Sequence, residues 1–174
     1  MIHLNIGSNL DSNFGDRFKN ILVAIDLLKD SKLKINKISD FYRTPSYPNK
    51  KLPFYINVGI SASFEKDEEI LINNIKFIEK KIGRIKSKRN SPRVCDIDII
   101  DFNGLIIKKK GLKIPHEKCH LRNFVLYPIL QIDTDWVHPI IKKNVKFLIN
   151  NLDQKSRIEI TRLNKNVIIN TWLI

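Results

Sequence analysis

Apolar and polar positions change their period several times along this chain, and each change marks an element. Ile2 to Gly7 alternates and reads as a first strand. Gly7-Ser-Asn-Leu-Asp-Ser-Asn is a turn-rich loop. From Phe14 to Leu28 the apolar residues Phe18, Ile21, Leu22, Ile25 and Leu28 follow a helical period. Leu33 to Tyr42 sets Leu33 and Ile35 against Lys34 and Asn36, a strand pattern, and Phe54 to Phe64 is a second β-rich run. Asp67 to Ile82 is a helix with Leu71, Ile75, Ile78 and Ile82 on one stripe, Asp67 as N-cap and Gly83 as stop. Val94 to Phe102 is a β-branched strand. Leu105 to Ile107 and Leu112 to Ile114 are the arms of a hairpin around Lys108-Lys-Lys-Gly111. Phe124 to Ile132, with Pro128 inside it, and Val145 to Leu152 read as helices. The tail from Arg157 is ambiguous, with a late strand over Val167 to Leu173. The order strand, helix, strand, strand, helix, strand predicts an α+β fold over residues 1–174. It is a ferredoxin-like antiparallel sheet with packed helices, in α-β-α layers and one domain.

Prolines 45, 48 and 53 make the segment after Arg43 a loop, and Lys86 to Pro92 is a polar loop. With 174 residues, 43% hydrophobic and 28% charged, the chain has the composition of a soluble globule. No stretch has the apolar length of a membrane span, and the first residues lack the pattern of a signal peptide, so a cytoplasmic protein is expected. Cys95 and Cys119 show no metal-type spacing and are expected to be free thiols. A net charge of +13 points to an anionic partner. Because Lys, Asn and Ile are abundant everywhere, that charge does not by itself choose between a nucleotide and RNA.

Chemistry concentrates in Arg93-Val-Cys-Asp96-Ile-Asp98-Ile-Ile. Residues two apart on a strand share a face, so Asp96 and Asp98 stand about 7 Å apart along the backbone. Such carboxylates repel, and a divalent metal with a bridging polyphosphate would relieve them. Arg84, Arg89 and Arg93 bracket the pair, and the planar guanidinium fork suits phosphate. Metal-binding acids beside phosphate-binding arginines are the parts of a phosphoryl-transfer site. Tyr55 and Asn57 share a strand face, where Tyr55 can stack on a planar heterocycle and Asn57 can read its edge. His116, Arg122 and Phe124 follow the hairpin. Taken singly, His116 reads equally as a phosphate donor or a loop cap, whereas Arg122 reads rather as a solvated charge and Phe124 as a core aromatic.

Taken in order, these residues resemble the 6-hydroxymethyl-7,8-dihydropterin pyrophosphokinases of folate biosynthesis. The resemblance runs through Gly7-Ser-Asn-Leu, Phe41-Tyr-Arg-Thr-Pro45, Tyr55-Ile-Asn57 and Glu79 with Gly83-Arg84. It continues through Pro92-Arg93-Val-Cys-Asp96-Ile-Asp98, Pro115-His116 and Arg122-Asn-Phe124-Val-Leu. It implies a magnesium-dependent transfer of pyrophosphate from ATP to the pterin's hydroxymethyl group, with release of AMP. By that resemblance Asp96 and Asp98 hold two Mg²⁺ ions, and Arg84 and Arg93 complete the catalytic set. Glu79, Arg84, Lys86, Arg93, Ile99, Leu112, His116 and Arg122 match the ATP site. Thr44, Pro45, Tyr47, Tyr55, Asn57 and Phe124 match the pterin pocket, with Tyr55 and Phe124 sandwiching the ring. The two loops match mobile covers.

The chain departs from the family pattern at Asn90 and Ser91, where an aromatic and a glycine are usual. It also departs at Lys86, where arginine is common, and at Glu117, an acid beside the nucleotide site. An active but slower enzyme is expected, a monomer that binds ATP and a reduced pterin and neither nucleic acid nor membrane. Two other classes compete with this reading. A basic RNA-binding module predicts salt-sensitive binding indifferent to Asp96, and an inactive relative predicts no AMP release.

Overall fold

The computed structural model describes residues 1–47, 49–85, 87, 91–109 and 112–166. Its elements run β1 (Ile2–Ser8), α1 (Arg17–Asp30), β2 (Lys34–Ile38), β3 (Phe41–Thr44), β4 (Tyr55–Ser63), α2 (Glu68–Ile82) and β5 (Asp96–Phe102). The short strands β6 (Ile107–Lys109) and β7 (Leu112–Ile114) follow. Then come a 3₁₀ turn over Cys119–Leu121, α3 (Asn123–Ile132), α4 (Val145–Asn150), α5 (Gln154–Ile158) and β8 (Thr161–Leu163). The main sheet has the order β5-β1-β4-β3-β8, with β2 also on β4, and every pairing is antiparallel. This is the α+β class anticipated from the element order.

One sheet face is apolar. Ile2, Leu4 and Ile6 of β1, Ile56, Val58 and Ile60 of β4, and Ile97 and Ile99 of β5 are buried there with α1 and α2. The stripe Leu71, Ile75, Ile78 and Ile82 is at most 2% exposed, and each such side chain contributes about 1.5–3 kcal/mol by leaving water. Asp67 caps α2 by accepting from the Ile70 N–H at 2.8 Å, and Gly83 ends it at φ 106°, a left-handed position that suits glycine.

The opposite face is polar, and α3 lies across it. Gly59 makes that packing possible, since a Cβ there would stand 2.6 Å from Pro128 Cβ. Pro128 thus sits inside the helix as expected, its ring filling the space that glycine leaves. A second apolar cluster, Ile100, Cys119, Val125, Leu126, Ile129, Trp136, Val145, Leu148, Ile149 and Leu152, joins this face to α4.

Several expectations need correction. The strand expected over Leu33 to Tyr42 is two strands. It breaks at Ser39 and Asp40, because Ser39 Oγ accepts from the Gly59 N–H (2.9 Å) and the buried Asp40 carboxylate accepts from Gln131 Nε2 (3.0 Å) and Arg162 Nε (2.6 Å). The first helix starts at Arg17 rather than Phe14, since Asp16 accepts from the Lys19 N–H at 3.0 Å as its cap. The short β8 and α5 were not foreseen. A hairpin forms as anticipated, but its first arm is Ile107–Lys109 rather than Leu105 to Ile107, since Lys108 and Lys109, read as turn, pair with Lys113 and Leu112. Lys110, Gly111 and the expected strand Val167 to Leu173 lie outside the described residues. Among the described residues no helix is long and apolar enough to cross a membrane.

Candidate active site

β1, β4 and β5 build the floor of the site from one cross-strand row. Asp96 lies opposite Gly7, and Gly7 lies opposite Asn57. A Cβ on Gly7 would meet Asn57 Oδ1 at 2.8 Å and Tyr55 Cδ1 at 3.6 Å, so its bareness lets both side chains lie over β1 toward the carboxylates. Asn57 is 2% exposed and its Nδ2 donates to Thr44 Oγ1 at 3.3 Å. Thr44, Tyr55 and Asn57 therefore form one wall, and burial pushes the Tyr55 phenol pKa up.

The next row sets Asp98 opposite Asn5. Asp96 and Asp98 share the face, as the strand period requires, but Asp96 is not bare. Arg84 Nη1 lies 2.7 Å from its Oδ1 and Arg93 Nη1 donates to its Oδ2 at 2.7 Å. Arg84 and Arg93 thus bracket Asp96 as the sequence suggested, delivered by the end of α2 and by the loop that follows it. Asp98 is less well matched, with Arg122 Nη1 at 3.5 Å. Burial, then the Asp96 charge, pushes the Asp98 carboxyl up to about 7 against the pull of Arg122.

Glu79 has a role that spacing did not reveal. Its Oε1 accepts from the Ile97 N–H at 2.8 Å and pairs with Arg84, while burial raises its pKa. It thus ties α2 to β5 and orients Arg84. Burial lowers the Arg84 pKa, but Asp96 and Glu79 raise it by more, and the balance is upward.

His116 and Arg122 face each other at 3.4 Å between Nε2 and Nη1. The Lys118 N–H points at His116 Nδ1 from 3.2 Å, which places the ring proton on Nε2. Two donors then stand side by side, placed so that one acceptor oxygen can bond both. Burial, then Arg122, brings the His116 pKa down to about 4, so the ring is neutral at pH 7. The Arg122 guanidinium also lies 5.4 Å from the Phe124 ring centroid, linking this edge to the aromatic one.

Contacts therefore join Arg84, Arg93, Asp96 and Glu79, then Asp98, Arg122, His116 and Phe124, then Thr44, Tyr55 and Asn57. Other candidates stand apart. Tyr47 is 84% exposed, and Pro45 is half-buried. Ile99 turns its side chain into the core, so it can meet a ligand only through its backbone, and Leu112 packs against the same core. Glu117 is exposed and held by Lys113 at 3.0 Å, which turns that acid toward its own cation. Lys86, Arg89 and Asn90 lie outside the described residues.

Sequence reasoning named Gly7-Ser-Asn without giving it a task. Asn9 Oδ1 accepts from the Arg93 N–H at 2.6 Å, its own N–H donates to Arg93 O at 3.0 Å, and its Nδ2 donates to Ser46 Oγ at 3.2 Å. Ser8 Oγ donates to Val94 O at 2.7 Å. The first loop is thus a clamp that holds the start of β5 and the loop after β3. Spacing gave no sign of it, because Ser46 is 37 residues away and the partners before β5 are 84 and 86 residues away.

Cys119, His120 and His138 also bring potential ligand atoms within 4.8 Å of one another. The Ile140 and Ile141 N–H groups donate to His138 Nδ1 at 3.1 and 3.2 Å, so its Nε2 carries the proton and points at Cys119 Sγ, 3.4 Å away. A histidine that ligates through Nε2 needs the reverse arrangement, with Nδ1–H donating outward. Burial also pushes the Cys119 thiol up to about 12. This trio is a packing feature.

Comparisons with known proteins identify the family. The chain is 39% identical over 142 residues to a folic acid synthesis protein of Dictyostelium discoideum, covering 81% of this chain and 21% of that protein's length. It is 34% identical over 145 residues to the 2-amino-4-hydroxy-6-hydroxymethyldihydropteridine pyrophosphokinase of Aquifex aeolicus, covering 83% of this chain and 88% of that one. The fold matches the crystal structure of wild-type Plasmodium falciparum HPPK-DHPS with a TM-score of 0.66 at 16% identity, over 92% of this chain and 47% of that one. Residues 3–134 match the family described as 7,8-dihydro-6-hydroxymethylpterin-pyrophosphokinase, and the chain belongs to that family.

Proposed function

We propose that this chain transfers pyrophosphate from ATP to the hydroxymethyl group of 6-hydroxymethyl-7,8-dihydropterin, releasing AMP, as one catalytic domain. Membership of an ATP-dependent pyrophosphokinase family supports the reaction. The observation that carries the assignment of residues is the convergence of Arg84, Arg93 and Arg122 on Asp96 and Asp98. The wall of Thr44, Tyr55 and Asn57 shares the same sheet face.

The donor set suits Mg²⁺. Both ligand groups are hard carboxylate oxygens on one face, and among the described residues Asp98 is met by a single guanidinium, Arg122, at 3.5 Å. When bound by Asp96 and Asp98, Mg²⁺ neutralises charge on the triphosphate. The chain's own groups do the rest. Arg84 and Arg93 exchange their contacts with Asp96 for phosphate oxygens, and Glu79 keeps Arg84 aimed as it turns. The paired donors His116 Nε2–H and Arg122 both donate to one phosphate oxygen. Tyr55 and Phe124 hold the pterin ring and Asn57 reads its edge, which aligns the hydroxymethyl oxygen with the β-phosphorus. Charge grows on the departing AMP oxygen, where the arginines stabilise it.

The test is pterin-dependent AMP formation. The wild-type chain releases AMP only with both substrates and Mg²⁺, and Asp96→Ala loses about 10³-fold or more in turnover while remaining folded. Full turnover by the variant rejects the assignment.

A further inference from the structure

Asn5 lies in β1 between Asp98 of β5 and Gly59 of β4, in one cross-strand row. Side chains in a row project to the same face, so the Asn5 amide stands beside the Asp98 carboxyl on the floor beneath α3, with Cβ atoms roughly 5 Å apart. Over Gly59 the space is taken by Pro128. Asn5 is 4% exposed, yet its Oδ1 has no hydrogen-bond partner among the described residues.

A buried amide oxygen without a donor destabilises the fold. A small apolar side chain between Leu4 and Ile6 would fill the position without that penalty. The row neighbours are Asp98, an acceptor in the ionised form that holds a cation, and Gly59, which has no side chain, so neither supplies the missing proton in the cation-binding state. A magnesium ion at Asp98 would supply it, because Mg²⁺ retains several of its waters when protein carboxylates bind it, and a metal-bound water is a strong donor. Groups that hold such waters orient the inner ligands and tune affinity.

We infer that Asn5 is a positioning residue for the cation, its Oδ1 accepting a hydrogen bond from a water in the shell of the divalent ion held by Asp98. The inference rests on the reading of Asp96 and Asp98 as cation ligands. It explains why a polar residue is buried, its Oδ1 unpaired among the described residues, in a row with one of the two carboxylates. It also assigns Asn5 a measurable trade between the stability of the ion-free protein and its hold on the ion.

Mn²⁺ replaces Mg²⁺ in the test, titrated by electron paramagnetic resonance in the presence of α,β-methylene-ATP. Thermal unfolding is measured separately in chelator. Asn5→Ala is expected to weaken Mn²⁺ binding about 10-fold and to raise the unfolding midpoint in chelator by about 3 °C. Asn5→Asp, which keeps the acceptor oxygen and adds charge beside Asp98, is expected to bind Mn²⁺ at least as tightly as wild type and to unfold at a lower temperature in chelator. Wild-type Mn²⁺ affinity in Asn5→Ala, or a lowered midpoint for that variant in chelator, overturns the inference and leaves Asn5 a structural residue. Loss of Mn²⁺ binding in Asn5→Asp overturns it too. Failure of the wild-type chain to bind Mn²⁺ removes the cation reading itself, and this inference with it.

Discussion

β5 carries aspartates at both ends, and the two ends treat them differently. At the far end, Asp101 is 5% exposed and fully answered by neutral donors, the Gly104 N–H at 2.8 Å and Trp136 Nε1 at 2.8 Å. At the near end, Asp96 is answered by two arginines on the tip of a helix and a loop, and Asp98 by one distant guanidinium. A β-bulge separates the regions. The pairing with β1 slips between His3 and Leu4, so Ile100 joins the second apolar cluster and Asp101 reaches Trp136 of the same cluster. One strand thus delivers two kinds of buried acid. Asp101, closed by fixed dipoles, is part of the fold. The pair closed by long charged side chains can be reopened by a phosphate, because guanidinium groups can exchange one anion for another.

Alanine at Asp98 and at Asp101 should separate these roles most sharply. Asp98→Ala is expected to lose about 10³-fold in turnover, with an unchanged or raised midpoint in urea. Asp101→Ala is expected to lose about 2–3 kcal/mol of stability, through the unpaired Trp136 and Gly104 donors, and to keep its turnover per folded molecule. Urea titration and AMP release read both. If Asp101→Ala abolished turnover in a fully folded sample, the distinction between the ends would fail.

The two glycines on the polar face divide in the same way. Gly59→Ala drives a methyl against Pro128 and is expected to destabilise by about 1–3 kcal/mol. Gly7→Ala meets only the end of the Asn57 side chain, so it is expected to raise the KM for the pterin about 10-fold with a smaller stability effect. Steady-state kinetics beside thermal unfolding would show whether the two effects exchange places.

The smallest expected effect concerns protons at the Trp136 end. Burial lowers the His138 pKa from its ordinary 6.5, with His120 adding to the shift and Asp101 opposing it. The unfolded chain therefore takes up that proton first, and the stability His138 contributes is present above pH 6.5 and lost as pH falls through the window below it. His138→Gln should lose less stability than wild type between pH 7 and pH 5 in urea titrations. An equal loss would show that His138 does not titrate in this window.

The parts of the fold that sequence made legible are those in which local rules agree. α2 shows its stripe, its cap Asp67 and its stop Gly83 within one short segment, and all three stand as read. The i, i+2 spacing placed Asp96 and Asp98 on one face for the same reason. The break at Ser39 and Asp40 was illegible because it is made by Gly59, Gln131 and Arg162, which lie far along the chain. β8 has three residues and rests on its pairing with β3 rather than on any pattern of its own. The closing of Arg84 and Arg93 on one carboxylate depends on where α2 ends relative to β5, and composition carries no trace of that. Asn5 hid in an alternating strand as one more polar residue.

Glu79 also covers part of an open border of the sheet. β5 is an outer strand, and the N–H of Ile97 faces away from β1, where another chain's strand could pair with it. The Glu79 carboxylate occupies that donor, and Arg84 and Arg93 crowd the same border with positive charge. A strand arriving from a neighbouring molecule finds its first bonding position already taken and a cationic rim beside it. The residue that pairs with Arg84 thereby also closes one bonding position on that border, which leaves less of it open to an incoming strand.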